Sequence, residues 1–283
     1  MTASPLALPT SRRRARRLLA TDAAIWTLVA AALVIFLLQM ASVGELDPAL
    51  WIPLADPAIQ AFLWGGLLGT IGAGATAIAI ALVAGIVIAA ARLSSRRWLS
   101  GIAATVSEIC RALPILFVVY LLLMVAPTWG LRMPPFWQIV VAIAIHGAGA
   151  FAELFRAGML ALPRGQSEAA ASLGMTDLQA LRLVVMPQVV RALLPAVIGQ
   201  CVQILKETSL GYVVSYPELL RRGQLLAEHM GGGFLQAYAE VAVLFIGLNL
   251  LLTGVAVWLE RRWNSRTSIH ASPGSSARLR DRA

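Results

Sequence analysis

Six long apolar stretches dominate this 283-residue chain, near residues 24–41, 65–91, 109–127, 137–160, 192–214 and 238–259. A helix of about 20 residues, rising about 1.5 Å per residue, crosses the hydrocarbon of a bilayer. Each stretch is of that order, so the expected fold class is an all-α membrane protein with about six transmembrane helices. Composition agrees: 59% of the residues are hydrophobic and 13% charged, against about half and roughly a quarter in soluble domains. The fifth stretch is the least uniform, because it carries Lys206 and Glu207. Five arginines between Arg12 and Arg17 precede the first stretch. Its length, and Gln39-Met40-Ala41 in place of a small-x-small cleavage pattern, favour a retained anchor over a signal peptide.

The formal charge of +9 comes from 22 arginines and one lysine against 14 acidic residues. Eighteen of the basic residues fall on one side of the spans: in the N-terminal tail, 92–108, 156–191 and the C-terminal tail. Short basic loops stay in the cytoplasm, which puts both termini there and Glu45, Asp47 and Asp56 outside. The basic balance therefore reads as topology, and no nucleic acid is expected as a partner.

Several chemistries are excluded. A P-loop needs Gly-Lys-Ser/Thr, and the single lysine stands in Leu205-Lys206-Glu207; any ATP this chain depends on is hydrolysed by another subunit. His146, His229 and His270 form no HExxH set, GxSxG is absent, and Cys110 and Cys201 read as small core residues. The chain reads as a non-enzyme with no cofactor and no metal. The glycines of the second span, including Gly65-x-x-x-Gly69, suit close helix packing.

The longest loop on the arginine-rich side runs Arg164-Gly-Gln-Ser-Glu-Ala-Ala-Ala-Ser-Leu-Gly174-Met-Thr-Asp-Leu-Gln-Ala-Leu-Arg-Leu-Val-Val-Met-Pro187. Ser167 can cap a short helix, Glu168 suits its positive end, and Gly174 terminates it. Thr176 and Gln179 have capping-box spacing and start a second helix. Its apolar residues are Leu178, Leu181, Val184 and Val185, and Pro187 is expected to end it. Ala169, Ala170 and Ala171 give the first helix a smooth surface. The residues alone leave two readings: an amphipathic loop lying on the membrane, or a docking surface for another protein.

Glu168-Ala169-Ala170, three residues, Gly174, nine residues, then Val184-x-Met186-Pro187 resembles the EAA loop of ABC importer permeases. Ile109-Cys-Arg-Ala-Leu-Pro114, Ala152-Glu153-Leu-Phe-Arg156, Leu162-Pro-Arg-Gly-Gln166, Lys206-Glu-Thr-Ser-Leu210 and Leu259-Glu-Arg-Arg262 look like the polar amino acid permeases within that family. The resemblance covers roughly 62–262. It implies a type I ABC importer permease fold with a cytoplasmic coupling helix, in the bacterial inner membrane. It also implies three partners: a dimer of ABC ATP-binding subunits, a second permease subunit (the same or a sister chain), and a periplasmic or lipid-anchored solute-binding protein. Glu168, Ala169, Ala170, Gly174 and Pro187 become ATPase-coupling residues. The expected division is 1–61 (basic tail, first span, outer loop), 62–262 (five-span core with coupling loop 164–190) and 263–283 (disordered cytoplasmic tail). The chain departs from the family pattern at Val184 and Met186, at Ala112-Leu113-Pro114, at His146 and Ala150 where Asn and Tyr are usual, and at Glu207 where Asp or Asn is preferred.

Ionisable groups at membrane depth usually face a protein interior or a water path. Glu153 with Arg156, and Glu108 with Arg111, are three apart and read as bracing ion pairs. Lys206, Glu207, Thr208 and Ser209 place a cation, an anion and two hydroxyls in one turn, about 22 Å along the fifth span if it starts near Arg191. They and His146 are candidates for the substrate pathway; a lysine–carboxylate brace between helices is the other reading. An ion-coupled secondary transporter or channel is the alternative function, and would show an internal hydropathy repeat that is not found here.

Overall fold

A computed structural model describes residues 12–162 and 165–264; the tail from 265, both ends of the chain and Arg164 lie outside that range. Every regular element among the described residues is a helix, with no strand among them. Among the described residues five helices are long and apolar enough to span a membrane, or six if a pair bent by 90° counts as one span.

α1 (Arg12–Ser42) contains the first span and buries none of it against the rest of the chain, so its apolar surface faces outward all round. A 3-10 turn, Pro48–Ala55, leads to α2 (Pro57–Arg92). Asp56 caps α2 by accepting the Ala58 N–H at 2.7 Å, and Pro57 occupies its first turn, where a missing N–H does no harm. At about 1.5 Å per residue its 36 residues run well beyond a roughly 30 Å hydrocarbon layer. Ala73, Ala77 and Ala81, each fully buried, recur every four residues and make one smooth stripe.

That stripe receives α5 (Pro135–Ala161), the most enclosed span. Lipid offers no hydrophobic drive for helices to associate, so close backbone approach supplies the contact. A Cβ at Gly85 would sit 2.5 Å from the Phe151 Cβ and 3.1 Å from the Ala148 carbonyl. A Cβ at Gly149 would sit 2.9 Å from Cys110, Arg111 and the Ser107 carbonyl. α5 therefore presses on α2 through one face and on α3 (Arg97–Ala112) through the other.

The third span differs from the stretch expected at 109–127. α3 and α4 (Ile115–Tyr120) form an apolar pair bent by 90° at Leu113-Pro114, whose second arm extends through a π turn (Leu121–Val125) and a 3-10 turn to Trp129. The polar residues of α3 before position 109, Arg97, Ser100, Thr105, Ser107 and Glu108, depress its hydropathy, which is why the apolar run begins late.

The fifth span also starts earlier than expected. α6 (Gly165–Ser172) and α7 (Asp177–Gln179) lead into a π segment, Ala180–Val185, and then α8 (Met186–Glu207), with the crossing covering Asp177–Val214. Pro187 does not end the helix. It stands in the first turn of α8, directly after the π segment; the wider π turn precedes the residue whose lost N–H and ring would break a continuous α-helix.

A 3-10 turn (Thr208–Val214) follows, then α9 (Leu219–His229) and α10 (Phe234–Asn264). One core joins α2, α4, α5 and α8 around Phe151, Ile143 and Ile204. A second, around Leu63, Leu67, Leu219 and Val241, joins the start of α2 to α9 and α10.

Candidate coupling loop and polar site within the spans

The loop expected to carry coupling is held by two local devices. α6 ends in a paired Schellman arrangement: the Gly174 N–H bonds the Ala171 carbonyl at 2.9 Å, and the Met175 N–H bonds the Ala170 carbonyl at 3.2 Å. This needs φ of +76° at Gly174, with open space where a Cβ would go. Backbone conformation, not crowding, is therefore what demands glycine there. Two residues on, Thr176 and Gln179 form the capping box anticipated from their spacing, at 3.3 and 2.9 Å. Ser167, expected to cap α6, is instead its third residue.

α6 rests on the π segment. Ala170 and Ala180 are buried, and Gln188 of α8 donates to Gln166 at 3.2 Å. Glu168 and Ala169 stay exposed, as does Leu173, at 78%. Leu178 and Leu181, which periodicity alone would bury, are exposed too, as is Leu183, while Val184 and Val185 are half-buried. The loop presents exposed leucines alongside two exposed carboxylates, Glu168 and Asp177.

Within the spans the structure separates the proposed pathway residues. Lys206 is exposed. The Thr208 and Ser209 hydroxyls donate to the carbonyls of Leu205 (2.7 Å) and Lys206 (2.8 Å), spending their hydrogens on the end of α8. Glu207 and His146 are brought to the same region. The Ile204 side chain packs where a Cβ on Gly147 would lie, 2.9 Å away, which sets this turn of α8 against α5. Glu207 accepts the Gln203 amide at 3.2 Å through Oε1, while Oε2 and the His146 Nδ1 are sealed from solvent without a partner. Gln203 was legible in principle, since it stands one helical turn before Glu207.

The anticipated brace at Glu153 is larger than a pair. Arg156 grips the carboxylate at 2.5 and 3.1 Å, Arg92 from the end of α2 reaches it at 2.7 Å, and Arg111 of α3 lies 4.0 Å away. Arg92 also donates to Ser107 at 3.0 Å. Glu108 and Arg111 do pair, at 3.6 Å. Arg92 and Glu153 are 61 positions apart, so no local spacing could have announced their contact.

Between the fifth and sixth spans, Glu218 is fully buried. It caps α9 by accepting the N–H groups of Leu220 and Arg221 at 2.8 and 2.7 Å. Burial pushes its carboxyl up to about 7, although both N–H bonds pull the other way. Thr70 of α2 accepts the next N–H, from Leu219, and the Tyr216 hydroxyl donates to the Gly69 carbonyl at 3.0 Å. Arg222 lies across Gly65 and Gly66, over the Phe62 ring at 4.8 Å. No group of three metal-ligating side chains occurs among the described residues.

Residues 81–265, most of the α2-to-α10 bundle, match the family of binding-protein-dependent transport system inner membrane components. The chain belongs to that family. It is 32% identical over 223 residues to the glutamate transport system permease protein GluD of Corynebacterium glutamicum, covering 77% of this chain and 81% of that one. It is 31% identical over 220 residues to the glutamine transport system permease protein GlnP of Escherichia coli, covering 76% and 95%. Among solved structures, an amino acid ABC transporter with histidines matches at 30% identity and a TM-score of 0.68, over 72% of this chain and 94% of that one. The methionine transporter MetNI, at 18% identity and a TM-score of 0.63, shares the fold over 73% and 98%. The all-helical bundle is thus the type I ABC importer permease fold, and this family member is a membrane permease component.

Proposed function

We propose that this chain is the membrane-spanning subunit of an ATP-driven importer of polar amino acids in the bacterial inner membrane. A dimer of ABC ATP-binding subunits hydrolyses the ATP, a second permease subunit (identical or a sister chain) completes the path, and an external solute-binding protein delivers the solute. Both termini face the cytoplasm, in keeping with the arginine distribution.

The observation that carries this reading is the geometry of α6. Glu168 and Ala169 are exposed on a short helix whose orientation is set by the Gly174 turn and the Thr176 cap. Ala170 seats that helix on the π segment leading into α8. A subunit holding α6 would therefore pull directly on the span that carries Glu207, with Pro187 marking the junction. Closing and opening of the ATP-binding subunits then drives alternating access. Glu207 and His146 face the solute path. Thr208 and Ser209 shape its turn, and exposed Lys206 is available to the second permease.

The test is ATP hydrolysis and amino acid uptake by the reconstituted complex. Glu168→Lys and Gly174→Asp should insert in the membrane while uptake per ATP falls at least tenfold. Normal coupling in both variants would refute the assignment.

A further inference from the structure

We propose that Arg12, Arg13, Arg14, Arg16 and Arg17, at the start of α1, bind the phosphate headgroups of anionic phospholipids, making α1 a lipid-facing outrigger that ties the permease to an acidic inner leaflet. This goes beyond the importer reading and takes from it only the cytoplasmic placement of the N-terminus.

The surface of α1 suits lipid better than protein. From Ala24 to Ser42 only Met40 is partly covered by the rest of the chain. The attachment to the bundle comes after the helix, on the outer side. There the Leu235 N–H donates to the Glu45 carboxylate at 3.4 Å, the Gln236 amide donates to the Glu45 carbonyl, and Leu54 is buried in the core around Leu63 and Leu226. Where spans of this chain do pack, glycines let them close, Gly85 on α2 and Gly147 and Gly149 on α5. α1 has none, since the first of the chain's 23 glycines is Gly44. Its span carries Ile25, Trp26, Leu28, Ile35 and Leu38 instead, each more than half exposed.

α1 is one unbroken helix from Arg12 to Ser42, so helix geometry sets the depth of the arginines. The apolar span begins at Ala24; Arg17 lies about 10 Å before it along the axis, and Arg12 about 18 Å. The headgroup layer is roughly 5–8 Å deep, and the Debye length at physiological salt adds about 8 Å. The cluster therefore falls in the zone where an anionic leaflet attracts cations. At about 100° per residue the five positions fan over roughly 200° of the helix circumference, so no roll of α1 turns them all away. Asp22 is the only acidic residue before Glu45, which leaves this end with five positive charges against one negative. Topology alone does not ask for such density: the 92–108 and 156–191 connections spread three and four arginines over their whole lengths. Guanidinium groups also suit phosphate, because they bind it through paired N–H bonds.

The test is native mass spectrometry of the detergent-purified permease with its co-purified ATP-binding subunits, given an equimolar mixture of phosphatidylglycerol and phosphatidylcholine. Each arginine near an anionic surface is worth about fivefold in affinity, so the parent complex should retain phosphatidylglycerol at least about tenfold over phosphatidylcholine. Replacing all five arginines by Gln should bring that ratio to within about twofold of unity. Replacing all five by Lys, which keeps the charge, should hold it within about threefold of the parent. Arg12→Gln with Arg13→Gln and Arg14→Gln keeps Arg16 and Arg17 as the topology signal, which guards against inverted insertion; this triple variant should lose at least half of the parent preference. No preference in the parent overturns the proposal, as does a parent-like preference in both Gln variants. Loss of the ATP-binding subunits from the triple variant, with its lipid preference unchanged, makes the arginines a protein-docking surface and also overturns it. Failure of the importer reading shows differently: no ATP-binding subunit co-purifies with the unaltered chain, whichever lipid it retains.

Discussion

Replacing Glu218 by Gln should remove a specific pH dependence of stability. The carboxyl titrates near 7 in the folded chain against an ordinary 4.5. Folding therefore raises its proton affinity, and the sign follows. The contribution of the neutral form is fully present below about 4.5 and is lost as pH rises through about 7. Above that, the buried charge is carried at full cost. Between pH 5 and 8 the unfolded chain has mostly shed this proton while the folded chain sheds it late. Linkage over that interval is worth roughly 2.5 kcal/mol, at about 1.4 kcal/mol per tenfold change in proton affinity. No discount for solvent screening applies, because Glu218 is fully buried. With about 2.1 cal/mol/K of unfolding entropy per residue, the shift is roughly 4 °C in Tm across the 283 residues. The assay is a tryptophan-fluorescence melt of the detergent-purified complex at several pH values, read as the difference between parent and Glu218→Gln. The variant keeps one oxygen for capping α9 and loses the charge. It should melt about 2 °C lower than the parent at pH 5, from one lost N–H bond of about 1 kcal/mol, and higher than the parent at pH 8. A parent–variant difference that stays constant from pH 5 to 8 would refute the reasoning.

Glu153→Gln leaves Arg92 and Arg156 facing a neutral amide. Since the carboxylate is 28% exposed, the loss should be about 1–3 kcal/mol, below the full penalty of a broken buried pair. Arg92→Met in the same background should recover part of it in a double-mutant cycle. Gly85→Leu drives a side chain into Phe151 and the Ala148 carbonyl; overpacking of about 3 kcal/mol or more should appear as loss of the monodisperse peak in size-exclusion chromatography. Gly174→Ala, at φ +76° with open space around it, should cost about 1–2 kcal/mol locally. It should lower uptake less than Gly174→Asp does.

The loop around Gly174 was the most legible part of the chain, because its structure is local. Caps, a positive-φ glycine and a capping box act within a few residues of one another, so Gly174, Thr176 and Gln179 fall where their spacing puts them. Pro187 is the exception. A rule about α-helices failed where a π segment changed the helix before the proline. The bend at Pro114 went unseen for a related reason, since hydropathy averages over a window and does not register direction. The polar turn at the end of α8 was only half legible. Sequence adjacency grouped Lys206, Glu207, Thr208 and Ser209, but successive residues on a helix point about 100° apart, so one turn sends them to different surroundings.

What could be read from residue order was set by water and lipid: the apolar spans, the clustering of arginines between them and the two short helices around Gly174. These follow from transfer energies and short-range backbone chemistry, which depend on residue identity and nearby spacing. What required the packed helices was the set of meetings between distant residues. Arg92 and Arg111 close on Glu153, Arg222 lies over Gly65, and Ile204 fills the space beside Gly147. Such contacts depend on which helix faces touch. In lipid that choice is made by glycines such as Gly85, Gly147 and Gly149, where two backbones come close enough for side chains beyond them to meet.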